Sequence, residues 1–184
     1  MSKGIVVAGF GAIGKTVVGN KYDNFIDLES SFYKWDNTGF ENLSSEELKG
    51  IVRPVNKDWP LNYHKAILEA RKKYDVVLTS MHEHVLNFLE QNKIDYYLAF
   101  PTIDSAEIIK QRCCARGNNE NFISILIDTL YYFDKKLGDY HPKKILKVNK
   151  NEYLEDVLIK SCIINKRRWI IQTTIKIIYG IIYN

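Results

Sequence analysis

The chain has 184 residues, of which 46% are hydrophobic and 26% charged, with a formal net charge of +4 at pH 7. That length suits one α/β domain with a sizeable core and leaves little room for two. Four of the 26 basic side chains, Lys166, Arg167, Arg168 and Lys176, fall in residues 161–184, which hold no acid, so the remainder balances the 22 acidic ones and offers no broadly basic face to nucleic acid.

The opening run Gly4-Ile5-Val6-Val7-Ala8 is almost continuously apolar, as a strand buried on both faces is. Its start so near the N-terminus leaves no room for a signal peptide. It leads into Gly9-Phe10-Gly11-Ala12-Ile13-Gly14-Lys15-Thr16, which fits the pattern G-x-x-x-x-G-K-[ST] at every fixed position. Residues 15–21 can open a helix. Strand, glycine-rich loop and helix start thus stand in the order a phosphate-binding loop needs. The backbone N–H groups of Gly9, Gly11, Ala12, Ile13, Gly14, Lys15 and Thr16 can then converge on phosphate oxygens at a helix N-terminus. A plain glycine-rich turn in another α/β protein leaves the Lys15-Thr16 pair unexplained.

Asn24-Phe25-Ile26-Asp27 reads as a short second strand, with Asp27 and Glu29 at its C-terminal end, where parallel sheets bind ligands. There the two carboxylates can hold magnesium-bound water or a substrate hydroxyl, or form an acidic turn that Ser30 or Ser31 caps. Residues 32–59 are irregular and aromatic and read as an excursion over the sheet. The Ser44-Ser45-Glu46-Glu47 segment can cap a short helix within it. Tyr33, Trp35, Arg53 and Trp59 are candidate contacts to an acceptor or, equally, a small aromatic subcore beside a solvated Arg.

A helix over residues 60–73 follows, with Tyr63, Ala66, Ile67 and Ala70 at helical spacing, and then a strand over 74–80 ending in Thr79 and Ser80. No Asp closes that apolar run; Asp75 stands at its other end. His82 and His84 read as the start of a helix and not as a metal pair, since alternate residues on a helix point apart. Residues 94–100 form the fourth strand, stopped by Pro101. The helix after it carries Arg112 and Arg116 on one face and stops at Gly117. Two guanidinium groups aimed alike suit a bridging or transferring phosphate; they also suit a solvated helix end. The helix also holds Cys113 and Cys114. With Cys162 they form no C-x-x-C, which argues for a reducing cytoplasm over a disulfide framework or a zinc site. Residues 120–137 make a packing helix, 141–148 the fifth strand and 149–159 a closing helix, with Asn149 at the ligand edge as a place for a base to rest.

This alternation predicts a three-layer α/β/α sandwich on a parallel sheet, finished near residue 160. Residues 161–184 differ, with nine Ile and no acid. Ile171, Ile175, Ile178 and Ile182 recur at helical spacing and read as a helix docked on the body or on a second subunit. Lys176 disfavours a membrane span.

The loop, the Asp27 segment and the helix bearing Arg112 and Arg116 together resemble the small P-loop kinases that include nucleoside monophosphate kinases, adenylate kinase and shikimate kinase. The overall pattern is also similar to compact nucleotide kinases often encoded by bacteriophages. The resemblance covers residues 4 to about 160 and is specific at 9–16. It implies a P-loop NTPase-like fold with a five-stranded parallel sheet of order 2-3-1-4-5. It further implies ATP over the loop, Lys15 on its β- and γ-phosphates, Thr16 on Mg2+, and Asp27 near the metal or the acceptor. Arg112 and Arg116 fall in a short lid (about 112–121), and the insert (about 32–59) covers the acceptor, with Asp27, Glu29 and Arg53 toward it. The activity implied is transfer of the γ-phosphoryl group of ATP to a nucleoside or deoxynucleoside monophosphate. The alternatives are a hydroxyl acceptor, with Asp27 as base, or a slow nucleotide-binding regulatory module whose partner element is the C-terminal extension. The missing strand-end Asp departs from the family pattern.

Overall fold

A computed structural model of the chain describes residues 3–44, 47, 48 and 50–164. Apolar runs set its centre. β1 (Ile5–Gly9) holds Val6, Val7 and Ala8 with no exposed surface, and it lies between β3 (Val76–Ser80) and β4 (Tyr96–Pro101). β2 (Phe25–Asp27) pairs outside β3 and β5 (Lys144–Val148) outside β4, giving an all-parallel sheet of order β2-β3-β1-β4-β5. The expected sheet is therefore present, strand order included.

Helices surround the sheet: α1 (Lys15–Lys21), α2 (Ser31–Lys34), α3 (Leu61–Lys73), α4 (Glu83–Gln91), α5 (Ala106–Ala115), α6 (Glu120–Lys136) and α7 (Leu154–Lys160). α3 turns Tyr63, Ile67 and Ala70 inward, as the spacing predicts. α7 starts five residues later than expected, for a local reason. The Glu152 carboxylate accepts from both the backbone N–H (3.1 Å) and the side-chain amide (2.6 Å) of Asn149, closing a turn. Tyr153 and Asp156 then cap the helix, with the Tyr153 N–H donating to Asp156 Oδ2 at 2.8 Å.

The insert after α2 folds back on itself. Trp35 and Val55 form an antiparallel bridge, and the Asn62 amide of α3 donates to the Tyr33 carbonyl at 2.7 Å. The Ser44 N–H donates to Glu47 Oε2 at 2.8 Å and the Glu47 N–H to Ser44 Oγ at 3.4 Å, the reciprocal bonds of a capping box, with turns and no helix among the described residues beside them. The core closes at Ile164, which is buried. The docked helix expected of the C-terminal extension falls, for residues 165–184, outside the described residues.

Register fixes where a ligand can sit. Gly9 is level with Ser80 on one side and Ala99 on the other, so β1 and β3 end together and β4 runs two residues further. The chain leaving β1 heads toward β2 and the chain leaving β4 heads toward β5. Connections that part in this way open a crevice at the carboxyl ends of the strands.

Candidate functional site

The loop between β1 and α1 stands at that crevice. Ala12 has φ 58° and Gly14 φ 98°, two left-handed residues that bend the chain tightly between β1 and α1. Lys15 reaches back under the loop, its ammonium donating to the carbonyls of Phe10 (2.8 Å) and Gly9 (3.1 Å). Burial lowers the Lys15 pKa from 10.5. Asp27 and Glu29 oppose that shift, and Arg116 adds to it. The charge of Arg116, which caps the C-terminus of α5, is therefore felt at the loop.

Thr16 and Asp27 meet as the sequence suggests: the Thr16 hydroxyl donates to Asp27 Oδ2 at 2.8 Å. Gly19 permits this approach of α1 to β2, since a Cβ there would stand 2.9 Å from the Asp27 Cβ and 3.0 Å from its backbone N. The other oxygen, Asp27 Oδ1, is buried and has no hydrogen-bond partner among the described residues. Burial raises the Asp27 pKa above 3.8, with Lys15 and then Thr16 opposing and Glu29 adding. Beside the pair is a cavity of about 250 Å³, lined by Thr16, Asn20, Asp27, Glu29 and Phe32 among others.

Several contributions escape the sequence. The Tyr63 hydroxyl donates to the Leu28 carbonyl (2.7 Å) and accepts from the Ser80 N–H (3.0 Å), tying α3 to the ends of β2 and β3. Past β3, His82 Nε2 lies 3.3 Å from Ser30 Oγ. Burial, then Lys34 and Lys15, lower the His82 pKa below 6.5 against the pull of Glu29, so the ring is mostly neutral at pH 7. His84 lies lower still, at about 4, because burial is joined by its neighbours His82 and His64. His82 caps α4, as the sequence predicts, and His64 Nε2 lies 3.2 Å from His84 Nδ1. Among the described residues no group of three or more His, Cys, Asp or Glu side chains is placed to hold a metal on its own.

Arg112 is engaged within the fold. The Arg112 guanidinium lies 3.9 Å over the ring of Tyr153 and donates to the Glu152 carbonyl at 3.1 Å. Tyr153 in turn packs on Gly14, and the Leu154 N–H donates to the Ile13 carbonyl at 2.8 Å. Residues 149–154 are thus docked on the loop, and Arg112 clamps them there. The amide of Asn149 is used in its own turn. The segment read as a lid consists of the end of α5, a short turn and the start of α6; from α6, Leu126 covers Gly11. Arg53 sits in the insert, donating to Asn37 Oδ1 while its buried Nε has no partner among the described residues. The stacking of Tyr153 and the role of Tyr63 link residues far apart in sequence, and neither belongs to a motif. The Tyr153/Asp156 cap spacing was the one local signal available.

Such a site offers a sharply bent backbone and an ammonium to an anion, and to a cation a carboxylate oxygen that has no partner among the described residues. No protein-family model matches the chain, and no curated protein matches it.

Proposed function

We propose that the chain is an ATP-dependent phosphotransferase of the small P-loop kinase type, moving the γ-phosphoryl group of ATP to a nucleoside monophosphate in the cytoplasm. One observation carries the reading: Lys15 lies beneath a loop bent by two left-handed residues, with Thr16 bonded to Asp27 on the same helix start. The residues fit the two absent groups. Left-handed bends beside a helix N-terminus suit a phosphate chain. A hydroxyl and a half-satisfied carboxylate suit Mg2+, which takes one or two protein carboxylates and completes its shell with water and phosphate oxygens. That ion, when bound, neutralises charge on the phosphate oxygens.

Phosphoryl transfer asks the protein mainly for positioning and charge. In this reading Lys15 leaves the Gly9 and Phe10 carbonyls for the phosphates. Arg116, already within electrostatic reach of Lys15, supplies further positive charge. Glu29, Ser30 and His82 flank the acceptor under the aromatic insert. The clamped segment 149–154 offers the base a firm edge. A monophosphate acceptor is already ionised, so no strong base is required.

A second reading is favoured by the cavity beside Thr16, where Asp27 and Glu29 meet no basic lining residue. That chemistry suits a hydroxyl acceptor, such as a nucleoside or small metabolite, whose proton Asp27 would take.

Magnesium-ATP with each ribo- and deoxyribonucleoside monophosphate, and separately with nucleosides, decides between them by which product forms. Lys15→Ala is expected to cut turnover at least a hundredfold. No transfer to any acceptor would reject the kinase reading, and ATP affinity unchanged in Lys15→Ala would reject the phosphate loop itself.

A further inference from the structure

At the end of β3, where the resemblance leads one to expect an acid, the chain has Ser80, whose Cα is level with Gly9, the first residue of the loop. Asp27 is in register with Leu78, so Asp27, Leu78 and Ser80 share one face of the sheet, while Thr79 turns to the other. On that shared face two oxygens are buried without a hydrogen-bond partner among the described residues, Asp27 Oδ1 and Ser80 Oγ. The Ser80 hydroxyl is near enough to the Tyr63 hydroxyl to act on it, but the hydrogen bonds formed there are from the Ser80 N–H to Tyr63 at 3.0 Å and from Tyr63 to the Leu28 carbonyl at 2.7 Å, which leave Ser80 Oγ without a partner among the described residues. Buried polar atoms are nearly always paired, and two unpaired oxygens on one face beside a phosphate loop suit a water or ion that completes both. The Thr16 hydroxyl is the third oxygen here, held by Asp27.

We infer that Ser80 takes the place of the strand-end carboxylate: its hydroxyl accepts from water in the shell of the divalent cation that accompanies the nucleotide, beside the free oxygen of Asp27. The inference rests on the phosphate-loop reading above. A serine supplies an acceptor of fixed position but no charge, so Asp27 carries the attraction and the site holds its cation loosely until phosphate oxygens add theirs.

The test is calorimetric titration of ADP into the full chain, with excess EDTA and with graded MgCl2, for the native protein and three variants. Ser80→Ala is expected to raise the Mg2+ concentration that gives half the metal-induced tightening by roughly three- to tenfold, the effect of one neutral hydrogen bond. Its ADP affinity in EDTA stays as in the native protein. Ser80→Thr, which keeps the hydroxyl, keeps the native response. Ser80→Asp is expected to lower the half-effect concentration at least tenfold. A thermal unfolding scan of each variant establishes that it is folded. Native metal response in both Ser80→Ala and Ser80→Asp, with ADP still bound, would overturn the role of Ser80 alone. Absence of ADP binding to the native chain in both buffers would overturn the phosphate-loop reading along with it.

Discussion

At Asp27 three demands meet on one carboxylate: it accepts from Thr16, it balances Lys15, and one of its oxygens is left without a partner among the described residues. Burial makes its ionised form costly, and the folded protein binds a proton there more tightly than the unfolded chain does. A pKa raised on folding contributes stability that is complete below the unfolded value and is lost as pH rises through the folded one. Without nucleotide, Asp27 therefore favours the folded state only in acid, and near neutrality it is a charge kept at some cost. A divalent cation removes that cost, which couples metal binding to proton release. As pH falls from 7, the Mg2+-dependent part of ADP affinity should decline at a pH above the ordinary aspartate value of 3.8, with the EDTA affinity changing less. Titrations at stepwise lower pH measure this. A metal response that persists undiminished into the ordinary aspartate range would mean that Asp27 does not carry the ion.

The contact between α1 and β2 is where an element, and not a side chain, sets the geometry. Gly19→Ala should gain a little intrinsic helix stability, about 0.5–1 kcal/mol. Against this, the new methyl meets the backbone N of Asp27 at 3.0 Å, and backbone in a paired strand cannot swing aside as a side-chain tip can. Overpacking of this sort costs typically about 1–3 kcal/mol, so the clash should win. A net loss of about 1–2 kcal/mol corresponds to a fall of roughly 2–8 °C in Tm for a chain of this size. The Thr16–Asp27 bond should loosen with it, weakening the metal response. A raised Tm in a thermal scan would show that the helix simply shifts and that the close approach is not required. The same element shows what a sequence can and cannot convey. The five strands, the glycine-rich loop and the helix start were legible because each is a local pattern with its own physical cause. Asp27 was legible because a strand end beside the loop leaves few other places for it. The clamp of Arg112 on Tyr153 was not. Four-residue spacing paired Arg112 with Arg116 on one face, but a tertiary contact with a residue of the next α/β unit turned Arg112 to a different task. The start of α7 was missed for a similar reason, since Glu152 spends itself on closing the Asn149 turn.

Across the whole molecule the sheet is unequal in a way that bears on function. β1 is covered on both sides by β3 and β4 and its middle residues are fully buried, whereas β2 is a three-residue edge strand. Amides of β1 should exchange with solvent only when the entire domain opens, while those of β2 should exchange through a cheaper local opening. A ligand at 100 times its Kd stabilises the native state by about 2.7 kcal/mol, and that gain reaches every opening that destroys the site and none that leaves it intact. Saturation with Mg2+-ADP should accordingly slow the β1 amides by the full factor, about a hundredfold. The β2 amides should slow to the same degree, although they open locally, because peeling β2 away removes Asp27 from Thr16. Fraying at the C-terminal turn of α6, which breaks no contact with the loop, should hardly change. Hydrogen exchange followed by NMR or mass spectrometry separates these classes. Protection gained by β1 but not by β2 would mean that nucleotide binds the loop without the carboxylate at its side.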